Sequence, residues 1–462
     1  MQAVVLVKLK KSFLTLCVSK RLLFTNRSTS RLALLLAAAL LTSALSAVAA
    51  DNRVSEPSLR AITAKYMLDV RSGQLLDNVY VVVGGDRIQE IVSDPSLLPQ
   101  GIEVLDLGNK TLLPGLMDTH THLLGPLTSN YHSALFLSPH RSVIGGVVNA
   151  RATLLAGFTV VRDVGAADYQ DVALRNSINA GEILGPRMLV SGPALGITGG
   201  HCDDNQLNHR FLQKADGVAD GPWAVRQQVR KNVKYGVDLI KFCATGGVFS
   251  KGTHVGQRQY TLEEMQAIVD EAHTHGRKVA AHAHGTEGIK FAIRAGVDSI
   301  EHASFLDKES IRMAKDAGTY LSMDIYNTEY TLAEGEKNPV PTESIRKEGM
   351  VGARQRESFS RAVKAGALVV LGSDAGVYPH GDNAKQLSRM VRFGMTPLQA
   401  IQAATINAAL LIGWQDQVGE LAMGRFADII AVDGNPLDNI SLLENVSFVM
   451  KGGDVIKHPS VQ

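Results

Sequence analysis

Two histidines one residue apart close the apolar run Leu112-Leu113-Pro114-Gly115-Leu116-Met117-Asp118-Thr119-His120-Thr121-His122. On a β-strand, residues i and i+2 share a face, so His120 and His122 can aim their imidazoles at one point. Neutral imidazole is a common ligand of zinc and similar cations, and two converging rings supply half a tetrahedral shell. Alone the pair is weak, because isolated His-x-His is mostly surface or hydrogen-bonded core histidine. Further polar residues interrupt apolar stretches downstream: Lys241 after Val237-Asp238-Leu239-Ile240, His282 and His284 in Ala281-His282-Ala283-His284-Gly285, His302 in Ile300-Glu301-His302-Ala303, and Asp374 in Gly372-Ser373-Asp374-Ala375-Gly376. Each has a bland alternative. A lone strand-end histidine is usually hydrogen-bonded structure, an Asp before Ala-Gly usually a turn or cap, and Lys241 could snorkel to solvent. Taken jointly they read as one metal centre. Lysine is ordinarily a poor ligand, because its ammonium has no free lone pair. Desolvated and deprotonated, Lys241 can add CO2, and the carbamate's two oxygens can bridge two cations.

The elements needed to bring these residues together are strands that end at a common face. Apolar strand candidates follow the opening one at Phe158 to Val164, Met188 to Gly192, Asp238 to Ala244, Lys278 to Ala283, Asp298 to Ala303, Thr319 to Met323 and Leu368 to Ser373, with helical segments in the gaps. One helix is marked by a capping box of Thr261 and Glu264 and a stripe of Met265, Ile268, Val269 and Ala272; another opens with Thr396-Pro397 and runs through Ala404. Eight strand–helix units predict an α/β fold, a (β/α)8 TIM barrel, in which chemistry sits at the C-terminal ends of the strands. Val54 to Leu113 reads instead as short strands separated by Ser72-Gly73 and Gly84-Gly85-Asp86, a small antiparallel sheet, with matching strands at Gly424 to Val432 and Val446 to Gly453. The predicted domains are a signal peptide over 1–50, a β-sandwich domain from 51–113 and 416–462, built from both chain ends, and the barrel over 114–415.

Composition excludes several classes. The 462 residues are 45% apolar and 20% charged with a formal charge of +2, as in an ordinary globular enzyme. Seven basic residues between Lys8 and Arg31 meet no acid, and an apolar run from Leu32 to Val48 leads to Ala47-Val48-Ala49, a signal-peptidase pattern that places cleavage near Ala49 or Ala50. A membrane anchor is the competing reading of that run. Without the leader, 47 basic residues less seven leave 40 against 45 acidic, a charge of −5, so neither a nucleic-acid surface nor a membrane surface is expected. Cys17 leaves with the leader; Cys202 and Cys243 remain, too few for a disulfide scaffold, and Cys243 is expected simply to pack beside its strand. An exported protein, periplasmic or secreted, is the expectation, as is a homo-oligomer.

From about Val54 to Gly453 the sequence resembles the amidohydrolase superfamily of binuclear type, and within it the secreted branch containing Xaa-Pro and Xaa-Arg/Lys dipeptidases and ochratoxin-hydrolysing amidase. The motifs that carry the likeness are Pro114 to His122, Ile240-Lys241-Phe242-Cys243-Ala244-Thr245-Gly246-Gly247-Val248, Ala281 to Gly285, Ile300 to Ala303 and Gly372 to Gly381. The resemblance implies two divalent cations, zinc by default. His120, His122 and Asp374 would hold the more buried one, His282 and His302 the more exposed one, and carboxylated Lys241 would bridge both, while His284 matches no ligand position. It further implies amide hydrolysis of dipeptides or N-acyl amino acids by a metal-bridging hydroxide, with Asp374 moving the proton. Phosphotriesters, lactones and cyclic amides are the alternative substrates on the same centre. Because the family's substrates carry a free carboxylate on the leaving amino acid, His201, Tyr260 and Arg258 are candidate substrate-binding residues in loops at the catalytic face. Gly199-Gly200 and Gly246-Gly247 lack the Lys-Ser/Thr of a P-loop and read as tight turns.

Overall fold

The structure is a computed structural model that describes residues 59–125, 136–334 and 340–458. The predicted leader lies outside the described residues. Among those described, no helix is long and apolar enough to cross a membrane.

The N-terminal strands are β1 (Leu59–Thr63), β2 (Tyr66–Leu68), β3 (Leu75–Asp77), β4 (Tyr80–Gly84), β5 (Arg87–Val92), β6 (Glu103–Asp106) and β7 (Lys110–Pro114). They do not form the single antiparallel sheet expected from sequence. The run Ala61 to Asp69 breaks at Ala64-Lys65, and β6 and β7 break alongside it at Leu107 to Asn109, so both segments cross from one sheet to another. Lys65 N donates to Gly108 O at 2.8 Å and Leu107 N to Thr63 O at 2.9 Å across the break. Segments that cross side by side in this way run parallel, and β1–β6 and β2–β7 are parallel pairs. One sheet is ordered β5-β4-β1-β6; the C-terminal strands β16 (Ile429–Asp433), β17 (Phe448–Lys451) and β18 (Asp454–Lys457) complete the other, ordered β18-β17-β16-β7-β2-β3.

Strand alternation explains why the six-stranded sheet has two buried faces. On β7, Leu112 faces the first sheet and Leu113 the opposite side. On β16 (Ile429–Asp433), Ile429 and Ala431 join Leu112 while Ile430 and Val432 join Leu113. Phe448 and Met450 against Val449 repeat the pattern on β17 (Phe448–Lys451). One face makes a sandwich core with Ile62, Val81, Val83 and Ile88; the other continues into the large α/β core.

The apolar run that opens the α/β region is divided at Gly115, whose N–H donates to Asp428 O at 2.9 Å. A Cβ there would lie 2.1 Å from Thr159 Oγ1, so only glycine lets the chain turn this closely against its neighbour. Beyond it come β8 (Leu116–Thr121), β9 (Phe158–Asp163), β10 (Arg187–Val190), β11 (Leu239–Cys243), β12 (Lys278–Ala283), β13 (Ser299–His302), β14 (Tyr320–Ser322) and β15 (Val369–Val370), all paired in parallel. They form two arcs, β10-β9-β8 and β11-β12-β13-β14-β15, rather than one continuous ladder. Single hydrogen bonds cross both seams: Asp238 N to Val190 O at 2.8 Å on one side, Thr119 N to Leu371 O at 2.9 Å and Asp374 N to His120 O at 2.8 Å on the other. The predicted helices fill the gaps. That over Leu262–Thr274 carries the Thr261/Glu264 capping box, and that over Pro397–Ala403 is capped by Thr396.

Candidate metal centre

His120 lies on β8 and His122 just beyond it, and the ring centroids are 5.4 Å apart. Asp374 follows the short β15, across the seam, and its Oδ1 stands 3.3 Å from His120 Nε2 and 3.4 Å from His122 Nε2. The other ring nitrogens decide what those contacts are. His120 Nδ1 is 2.9 Å from Glu301 Oε2, and His122 Nδ1 is 3.2 Å from the carbonyl of Gly165. A carboxylate and a carbonyl only accept, so both Nδ1 atoms carry the proton and both Nε2 atoms present lone pairs. Two imidazole lone pairs and a carboxylate oxygen therefore converge with no proton between them, and His120 Nε2 is buried without a hydrogen-bond partner. That is a set of donors suited to a cation.

A second group adjoins the first. His282 ends β12 and His302 ends β13, with centroids 4.6 Å apart, and His302 is 4.9 Å from His120. His302 Nδ1 donates to Asp324 Oδ1 at 3.0 Å, and His282 Nε2 is buried with no partner. His284 stands in the same trio, near enough for one ion to reach ligand atoms of His282, His284 and His302, and its ring stacks on that of His302 at 4.8 Å. Geometry thus draws His284 closer to the centre than its lack of a family position implies. Its Nδ1 meets Ser304 Oγ at 2.7 Å.

The backbone is strained where it aims these groups. His302 and Asp374 have φ of 69° and 58°, a left-handed conformation that costs a non-glycine residue energy and turns the strand end sharply into the mouth. Glu301 pays no such cost but is wholly buried, held by Arg162 Nη2 at 2.7 Å and by His120. Burial pushes its carboxyl up, yet Arg162 and His120 outweigh burial and keep it ionised well below the usual range.

Lys241 is 3% exposed, with no carboxylate at ion-pair distance among the described residues, and desolvation pushes its pKa down to about 8. An amine so placed is neutral in about a tenth of molecules at pH 7, against well under one in a thousand for an ordinary lysine, and the neutral form is nucleophilic toward CO2. Desolvation, joined by mutual repulsion, likewise keeps His282 and His284 far below the ordinary histidine pKa, so their lone pairs stay free.

His120, His122, Lys241, His282, His284, His302 and Asp374 line one cavity of about 840 Å³ at the C-terminal ends of the parallel strands. Of the three candidate substrate contacts, the structure brings only His201 into it. The His201 ring stacks on His282 at 4.1 Å, Nδ1 meets Ser250 Oγ at 2.8 Å, and burial pushes its pKa down to about 3. Tyr260 is placed elsewhere: it is fully buried against Phe242, and its hydroxyl donates to Ala219 O at 3.0 Å. Arg258 points away from the cavity, over the Phe291 ring at 4.6 Å and 3.6 Å from Glu287. Both follow β11 but leave it on the helix side, where apolar and acidic neighbours satisfy them.

Cys243 corrects a second expectation. It forms a disulfide with Cys202, 41 residues earlier, tying the loop that carries His201 to the strand that carries Lys241. Sequence reasoning also passed over Glu301, Asp324 and Asn327, whose Nδ2 donates to Asp374 Oδ2 at 3.0 Å. Asp324 had a signal: it follows the seventh predicted strand as Asp374 follows the eighth. Glu301 had another, an acid inside an apolar strand beside a histidine.

Residues 111–457 match the model of the amidohydrolase family. The chain belongs to that family. It is 35% identical over 413 residues to ochratoxinase of Aspergillus niger, covering 84% of this chain and 85% of that one. Among solved structures it is similar to a Xaa-Pro dipeptidase with methionine bound in the active site, with a TM-score of 0.82, 36% identity and coverage of 86% of this chain and 99% of that one. The A. niger ochratoxinase structure gives a TM-score of 0.78 at 32% identity, covering 88% and 98%. This amidohydrolase therefore shares fold and family with hydrolases of amides, whose members generally hold divalent metals in sites compatible with these histidine groups.

Proposed function

We propose that the chain hydrolyses the amide bond of small dipeptides or N-acyl amino acids, ochratoxin-type amides included, at a pair of divalent cations, by default zinc. The observation that carries this is the convergence of His120 Nε2, His122 Nε2 and Asp374 Oδ1 as lone pairs, with His282 Nε2 orphaned beside them. His120, His122 and Asp374 would hold one cation, His282 and His302 the other, and Lys241, carboxylated, would offer one oxygen to each. The two arcs of strands would then act as one (β/α)8 barrel whose mouth is the site. When bound, the cations supply Lewis acidity, acidifying a water and polarising a carbonyl.

The chain's own residues do the rest. Asp374 takes the proton of the attacking water on its inward oxygen and delivers it to the departing amine nitrogen, while Asn327 fixes its other oxygen. Glu301 and Asp324 lock the tautomers of His120 and His302. Lys241 Nζ adds CO2 and loses a proton, which makes an anion where an ammonium would repel cations. His201, neutral beside His282, can donate through its free ring nitrogen to the substrate's carboxylate. The protein is exported in this reading; a disulfide between Cys202 and Cys243 suits an oxidising compartment, and a homo-oligomer is the assembly proposed.

The test is turnover of the metal-loaded protein on Xaa-Pro and Xaa-Lys dipeptides, N-acyl amino acids and ochratoxin-like amides, set against a phosphotriester, a lactone and a cyclic amide. Rates on the first set support the reading. Rates confined to the second set overturn it, as does purified protein that takes up well under one equivalent of metal.

A further inference from the structure

One cavity wall holds a carboxylate that the proposed chemistry leaves unused. Glu348 lies on the helix over Thr342–Lys364, is 4% exposed, and lines the cavity with Asn327, Tyr330, Thr331, Val351 and Gln355. Its Oε1 accepts from Thr328 Oγ1 at 2.5 Å. Thr328, on the helix over Asn327–Glu334, is itself fixed by close packing: a Cβ at Gly352 would come within 2.2 Å of its Cγ2, so that helix touches the one carrying Glu348 at that point and the hydroxyl is aimed at Glu348. Among the described residues no Lys or Arg nitrogen lies at ion-pair distance. The adjacent cation, Lys347, is engaged elsewhere, donating to Ser250 O at 2.6 Å and pairing with Glu343 at 2.8 Å.

A buried carboxylate without a counter-cation is costly to keep. Burial, with Asp324 and Asp374 nearby, pushes Glu348 up to about 7 despite the Thr328 hydrogen bond. Groups of this kind, facing a cavity beside reacting atoms, are candidate functional sites rather than packing residues. What would relieve Glu348 is a positive charge brought into the cavity. The neighbouring wall suits one: Tyr330 and Asn327 offer an aromatic ring and an amide oxygen.

We propose that Glu348 is a specificity-determining residue that binds a primary ammonium group on the acyl side of the substrate, so that the enzyme favours amine-bearing dipeptides over amine-free N-acyl amino acids. The inference rests on the amidohydrolase reading above and narrows its substrate class. Its placement is consistent with the site's order. Glu348 reaches the cavity beside Asp324 and Asn327, which follow β14, whereas His201 follows β10, four strands away in the order of the arcs. A leaving-group carboxylate and an acyl-side ammonium would thus have separate partners.

The ammonium could be the α-amine of a dipeptide or a more distant side-chain amine, and three substrates separate these: Leu-Phe, 4-methylpentanoyl-Phe, which is Leu-Phe without its amine, and 6-aminohexanoyl-Phe. For the wild-type holoenzyme we expect kcat/KM at least ten times higher for Leu-Phe than for 4-methylpentanoyl-Phe. Glu348→Gln, which keeps the Thr328 hydrogen bond, should lose ten- to a hundred-fold on the amine-bearing substrate, mainly in KM, and little on the amine-free one. Glu348→Asp, which keeps the charge, should recover part of the preference. Preference for 6-aminohexanoyl-Phe over Leu-Phe that vanishes in Glu348→Gln would also support the ammonium site and place the amine distally. Equal losses on amine-bearing and amine-free substrates would overturn the assignment while leaving the hydrolase reading intact. Absence of turnover on all three by wild-type holoenzyme with its metal bound would overturn the dipeptide reading and the assignment with it.

Discussion

The cavity has two unlike walls. On the side of β10 and β11, Lys241 and His282 are buried and His201 is half-buried; desolvation keeps the two histidines neutral and lowers the Lys241 pKa to about 8, and the three are held by rigid means: a disulfide, a ring stack and a strand register that pairs Cys243 with His282. On the side of β14 and the helix after it, Asn327 donates to Asp324 and Asp374, Thr328 donates to Glu348, and the titratable groups are carboxyls. Burial acts on both in the same sense, against charge. Bases respond by giving up protons, so one wall offers lone pairs; on the other, His302 keeps Asp324 ionised against burial, while burial pushes Glu348 up to about 7. Asp374 stands where the walls meet, one oxygen toward His120 and His122, the other on Asn327.

The largest expected break in this picture is therefore Asp374→Asn. It removes the proton acceptor while keeping shape, and we expect kcat to fall about 10²- to 10⁴-fold, the usual range for a positioned general acid–base, with most of the metal retained. Turnover and metal analysis on the same preparation check it. Near-normal turnover would end the proton-shuttle role.

Next is the covalent brace of the basic wall. Closing a loop of about 40 residues is worth at most about 4 kcal/mol in the chain-entropy account, so replacing Cys202 and Cys243 by Ser should lower Tm measurably and raise KM several-fold by loosening the loop of His201. Denaturation under reducing and non-reducing conditions measures the first, and steady-state kinetics the second. A pair of free thiols by mass spectrometry would remove the brace from the comparison.

A smaller effect is expected from Glu301→Gln, which weakens the hold on the His120 Nδ1–H and leaves Arg162 facing a neutral amide. Partners of this kind are typically worth about 10- to 100-fold in metal affinity. Competition with a chelator reads it directly, and Asp324→Asn should do the same at His302. If both variants bind metal as tightly as wild type, the tautomer argument fails.

Much of this was legible in the sequence, for reasons that differ between residues. His120 and His122 could be paired because period-two alternation is local, and His282, His302 and Asp374 because each interrupts an apolar strand at a place where polarity is costly. The parallel strands were found from their Val, Ile and Ala runs to within a residue or two at most ends. β15, two residues long against six predicted, is the exception, because most of its pairing passes to single bonds across the seam. What could not be read was long-range. The disulfide needs the 41-residue excursion to return to β11. The parallel β1–β6 and β2–β7 pairs need two segments to cross between sheets together. Tyr260 and Arg258 were assigned to the mouth by their position after a strand, but which side of the loop they take is set by Ala219, Phe291 and Glu287, which are distant in sequence. Glu348 has no local mark at all, being an ordinary acid on a charged helix until the fold buries it.

The mildest effect, and the sharpest test of the acidic wall, is its pH dependence. With its pKa raised to about 7, Glu348 carries a proton below that pH and is neutral; above it the carboxylate is free to pair. A dipeptide α-amine, with an ordinary pKa of about 7.7 to 8.0, remains largely cationic until then. Opposite charges therefore coexist best between about pH 7 and 8, and KM for Leu-Phe should fall several-fold, at most about tenfold per pH unit, as pH rises from 6 to 7.5. Glu348 is faced by Thr328, Asp324, Asp374, His302 and Arg356. Thr328 does not titrate, Asp374 is held ionised, and Asp324 is kept below the usual range by His302 although burial opposes it. Bound ammonium should in turn pull the Glu348 pKa down and release a proton, which calorimetry in buffers of different ionisation enthalpy registers. The amine-free analogue should lack the limb, and Glu348→Gln should abolish it for Leu-Phe. If the same limb persists with the amine-free analogue, the titrating group belongs to the metal side of the cavity, and the division between a neutral basic wall and an ammonium-binding acidic one does not hold.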